Sequence, residues 1–132
     1  MAATVGAPPT LADIEALAAR ALAALPQKFK RHLGPVTIRV EEFPDVETER
    51  ALRLHSPFDI LGLYRGVALP RRSVSNPAPH TDMIYLYRRP ILGCWCETGV
   101  DLFELVRHVL IHEIGHHFGF SDADMARIEE SD

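Results

Sequence analysis

The run VDLFELVRHVLIHEIGHHF, from Val100 to Phe118, constrains the fold of this chain more than any other segment. It holds no proline, and glycine closes it at Gly119. At helical spacing, Val106, Leu110 and Ile114 make one apolar row and Leu102, Leu105 and Val109 a second. A helix that is apolar on two sides must be covered on both, so it belongs at the centre of the molecule. Thr98, with Asp101 three residues on, is the expected N-cap. The chain has 132 residues, 47% of them hydrophobic, which suits one domain with one core over residues 1–132. Residues 1–9 are expected to be disordered.

The other elements follow from capping and periodicity. Thr10 and Asp13 form an acidic capping box ahead of LADIEALAARALAAL, where Leu11, Ile14, Leu17 or Ala18, Ala21 and Leu25 share a face until Pro26 stops the run. PVTIRVEEF alternates and is β-branched, giving a strand from Val36 to about Glu42. A short helix is expected from Asp45, a strand or hairpin limb over Ile60–Leu69, and a strand over Met83–Tyr87 closed by Pro90. LPRRSVSNPAPH reads as a surface loop between them. Ser121 with Asp124 marks a last helix, roughly Asp122 to Glu129. Segregated helices and few strands make the class α+β.

HEIGHHFGFSD, His112 to Asp122, carries the chemistry. His112 and His116, four apart, project from one helix face and can converge on one cation. Gly119 can take the left-handed conformation that ends a helix and turns the chain, which brings Asp122 back as a third ligand. Asp122 then starts a helix, whose dipole favours the carboxylate form a metal needs. Two imidazoles and a carboxylate suit zinc, one per chain, with a coordination position left for water. Glu113 is placed to reach that water without being a ligand. It is the expected general base, taking the water proton while zinc polarises a carbonyl.

HEIGHHFGFSDADM, with DILGLYRGVAL and MIYLYRRPIL ahead of it, resembles the small bacterial zincin-like metallopeptidases that carry HExxHxxGxxD. The resemblance runs from about Val36 to Ile128. It implies a compact α+β fold, a small mixed sheet packed on a central active-site helix, and N- and C-terminal helices. It also implies zinc at His112, His116 and Asp122, and peptide-bond hydrolysis. The larger metzincins instead have histidine at the position of Asp122 and a methionine turn well downstream. Met125 is expected here as a core residue of the last helix.

Other candidates rank below these. His108, one turn before His112, is a rival ligand or an outer partner. His117 is turned about 100° from His116 and so is not expected on the same metal. Tyr64, Tyr85 and Tyr87 are candidate oxyanion donors, though strand tyrosines usually pack. His32, His55 and His80 have no spacing that argues for chemistry. Cys94 and Cys96 are too close for an unstrained disulfide and lack a second pair for a metal cage, so free thiols are expected. Net charge −4 gives no basic field for nucleic acid. No segment reads as an export signal or membrane span, so a cytoplasmic enzyme acting on peptide or protein substrates is expected. The alternatives are a non-catalytic zinc-binding module and an inactive interaction protein of the same fold. Glu113 speaks against the first, since a structural site closes its fourth position with a protein ligand.

Overall fold

A computed structural model describes residues 6–31, 33–66 and 82–130. The stretch expected as a surface loop lies outside them, as do His32 and His80. Helix α1 (Leu11–Ala23) has the capping box in full: Thr10 Oγ1 accepts from Asp13 N–H (3.1 Å) and Asp13 Oδ2 from Thr10 N–H (2.8 Å). Its inner face, Ile14, Ala18 and Ala21, is wholly buried. Thr10→Ala should therefore cost about 1 kcal/mol in urea unfolding, with Thr10→Ser near wild type. Equal losses in both variants would deny the cap its contribution. Pro26 stops α1, as expected, but then opens a single further turn, α2 (Gln27–Lys30).

Strand β1 (Val36–Glu41) leads to α3 (Val46–Ala51), where Asp45 Oδ1 accepts from Thr48 N–H at 2.7 Å. Strands β2 (Gly62–Gly66) and β3 (Asp82–Tyr87) complete a sheet of order β1-β3-β2. β1 runs parallel to β3 and β2 antiparallel to it, so the sheet is mixed and β2 is an edge.

Two expectations about the following segment are corrected. Pro90 does not close the chain after β3; a helix, α4 (Arg88–Thr98), starts at Arg88. Pro90 is its third residue, within the first turn, where a missing N–H costs nothing. Thr98 is likewise not the cap of the central helix. It ends α4, its Oγ1 donating to Cys94 O (2.8 Å), and Gly99 in the left-handed conformation (φ 70°) turns the chain. Asp101 is the cap, accepting from Glu104 N–H at 3.1 Å. Cys94 and Cys96 lie on α4 as free thiols. Arg88 is buried and ties the start of α4 to the segment before α1 and to the end of β1, donating from Nε to Pro9 O (2.7 Å) and from Nη1 to Glu42 Oε1 (2.9 Å). That guanidinium, joined by Arg89, holds the Glu42 carboxyl below its usual range.

The central helix is α5 (Leu102–Phe118), and α6 (Asp122–Glu130) follows the turn at Gly119. Leu105, Val106, Val109, Leu110, Ile111 and Ile114 are all buried, so both apolar rows are covered. They share one core with Ile14 and Ala18 of α1, Ile84 and Leu86 of β3, and Met125 of α6. Among the described residues, no helix is long and apolar enough to cross a membrane.

Candidate metal centre

Helix α5 lies along the edge strand β2 in register. A methyl group on Gly62 would meet Val109 Cγ1 at 2.8 Å, the N–H of Tyr64 donates to Glu113 Oε1 at 3.2 Å, and a methyl on Gly66 would meet His117 Nε2 at 2.8 Å. Steps of two residues on the strand thus match steps of four on the helix. The physical reason is a near equality of rise, about 6.7 Å for two strand residues and about 6.0 Å for four helical ones. Glycine at both ends of Gly62-Leu63-Tyr64-Arg65-Gly66 lets the backbone come this close.

This register places Glu113 behind the edge of the sheet. Burial pushes its carboxyl above the usual range; the Tyr64 N–H and the nearby His116 oppose that shift and only partly offset it. His117, on the same helix face, stacks on the Tyr64 ring with centroids 4.0 Å apart and planes 25° apart. It faces the strand rather than His112 and His116, as the helical offset implied. The Tyr64 hydroxyl is buried beside the Asp82 carboxylate, and burial followed by that charge raises its pKa well above the ordinary value. A phenol so covered packs the sheet and is not open to a bound peptide. Tyr85 takes Arg65 over its ring (5.5 Å), on the sheet face opposite Tyr64, and Tyr87 is buried.

Another side of α5 carries a ladder of three imidazoles. Ring centroids are 4.1 Å apart for His108 and His112 and 5.9 Å for His112 and His116, the latter pair nearly perpendicular at 84°. Gly119 ends the helix with φ 77°, and Phe120 N–H returns to Gly115 O at 2.8 Å. Ser121 and Asp124 cap α6 reciprocally (3.1 and 3.2 Å), leaving Asp122 as the first residue of that helix, exposed. Helix α6 is held against α5 by Met125, fully buried, whose Cγ would lie 2.8 Å from a methyl placed on Gly115.

Among the described residues, the three donors whose ligand atoms all lie within 4.8 Å of one another are His108, His112 and Glu129. His116 and Asp122 stand outside that group, both exposed. Glu129 is the residue that sequence reasoning missed. Its Oε1 meets His112 Nε2 at 2.9 Å and its Oε2 meets His108 Nδ1 at 3.1 Å. Nothing in the local sequence distinguishes it from the neighbouring acidic residues of α6.

A helix bearing two histidines one turn apart, a half-buried carboxylate between them and a glycine turn leading to an aspartate is a donor set that fits zinc. The sequence matches the family model for zincin-like metallopeptidases over residues 33–131. The chain belongs to that family, which implies zinc binding and suggests a hydrolase of peptides or proteins. No curated protein matches it.

Proposed function

We propose that the chain hydrolyses peptide bonds with zinc held by His112, His116 and Asp122 and with Glu113 as general base. The observation that carries this reading is Glu113. It is a carboxylate in a mostly apolar helix, among the described residues neither a metal-cluster member nor ion-paired, and held by a backbone N–H of the edge strand β2. Burying such a group is costly unless it has work for a proton acceptor. Zinc, when bound, supplies Lewis acidity to a carbonyl and acidifies water. Everything else falls to the chain. An extended peptide adds alongside β2, the edge strand among the described residues, where main-chain groups fix its register. Glu113, already at that edge and with its proton affinity raised by burial, takes a proton from water and returns it to the leaving amine.

The ligand assignment is tested by zinc affinity. Asp122→Ala should weaken binding far more than His108→Ala, read by competition with a chromophoric chelator. The reverse order would remove Asp122 from the ligand set. Cleavage of a broad peptide library by the zinc-loaded protein tests hydrolysis itself. A zinc-saturated protein that cleaves nothing would identify a binding module.

A further inference from the structure

Glu129 is built into its position rather than resting there by chance. Arg107, buried on α5, donates from Nη1 to Glu129 O (3.0 Å) and from Nη2 to Ile128 O (3.2 Å). Those are carbonyls of the last turn of α6, which lack helical partners and here receive a cation. With Met125 seated at Gly115 in the first half of α6, the helix is pinned to α5 at both ends. The Glu129 side chain therefore hangs over the upper two rungs of the imidazole ladder. The side chains there are half-exposed: 50% for His108 and 28% for His112 and Glu129, so solvent ions can reach them.

We propose that His108, His112 and Glu129 form a second divalent-metal position, exclusive of the hydrolytic one because both need His112. Each ring nitrogen that faces Glu129 does so at hydrogen-bond distance, 3.0–3.1 Å for His108 and 2.9 Å for His112. Ligand atoms around a tetrahedral zinc lie about 3.3 Å apart, given bond lengths of about 2.0–2.2 Å. Both contacts of Glu129 are thus already close to that spacing, and all three ligand atoms lie within 4.8 Å of one another, so a zinc ion can replace the two ring protons without moving α6. Two neutral imidazoles and a carboxylate also form a set that zinc accepts in preference to magnesium or calcium. His112 Nε2 can serve one metal at a time. Metal on the Glu129 side leaves His116 and Asp122 one donor short, and it sits one helical turn away from the position Glu113 serves. The outer position thus holds metal without supporting hydrolysis.

The experiment measures zinc stoichiometry and affinity, with cobalt absorption as a second readout, in His116→Ala and in that variant combined with His108→Ala or Glu129→Gln. His116→Ala should still bind one zinc per chain, more weakly than wild type. Either added substitution should weaken it by a further 10–100-fold or more, since losing a direct ligand costs at least as much as losing an outer partner. Circular dichroism controls for folding, and both added sites are partly exposed. If His116→Ala binds no zinc, or if the double variants bind as it does, the outer position does not exist, and the His112, His116 and Asp122 assignment is untouched. If instead His116→Ala binds as tightly as wild type and Glu129→Gln releases the metal, the outer position stands and the hydrolytic ligand set falls.

Discussion

Glu113→Gln should fold, bind zinc at about the wild-type level and lose peptide hydrolysis by roughly 10²-fold or more. Glutamine keeps the shape of the side chain and one oxygen to accept the Tyr64 N–H, so the contact between α5 and β2 survives. What disappears is the proton acceptor. The same variant carries a second readout that needs no substrate. Burial holds the Glu113 carboxyl above the usual carboxylate range, so the folded chain binds this proton more tightly than the unfolded chain does. Raising the pH through the interval between those two affinities ionises a buried group and costs stability. In metal-free protein at pH 7, Glu113→Gln should therefore melt higher than wild type. The gain should shrink as the pH falls through that interval and be gone below about 4, where the glutamate is protonated in both states. Equal hydrolysis by variant and wild type would end the general-base role. A melting difference that ignores pH would mean that Glu113 is not held there as a strained acid.

The sequence was most legible where structure is decided locally. Thr10 with Asp13, Ser121 with Asp124, and the left-handed Gly119 are each settled within a few residues, and each takes the expected form. The central position of α5 was legible because two apolar rows leave no other place for it. The helix α4 was not, because Pro90 breaks a helix interior but is harmless in a first turn, and only the position of the start separates these outcomes. The placement of Glu113 needed the register of α5 on β2, a contact across 49 residues of chain. Glu129 needed more still. Its approach to His112 depends on Arg107 and Met125 fixing α6 on α5, and no short-range pattern encodes that.

That register also predicts that two glycines of one strand respond unequally to the same substitution. Gly62→Ala should destabilise the protein by about 1–3 kcal/mol, the usual cost of overpacking a closed interior. Its new methyl meets Val109 Cγ1 at 2.8 Å and the main-chain oxygen of Tyr85 at 2.9 Å, and the latter cannot move without distorting the ladder between β2 and β3. Gly66→Ala meets mainly the imidazole of His117, which is exposed and can swing away. Neither glycine has a positive φ, so backbone strain does not enter. Replacing glycine in a strand also recovers roughly 0.5–1 kcal/mol of unfolded-state entropy. Gly66→Ala should then be near neutral, although it disturbs the stack of His117 on Tyr64. Val109→Ala should relieve Gly62→Ala only in part, because the Tyr85 carbonyl remains. Because Gly62 sets the distance between β2 and α5, Gly62→Ala should also loosen the hold of Tyr64 on Glu113 and lower hydrolysis at full zinc occupancy. Urea unfolding of the two variants and the Val109 combination decides the matter. Equal destabilisation at both positions, or full rescue by Val109→Ala, would mean that the strand is free to move off the helix and does not position the base.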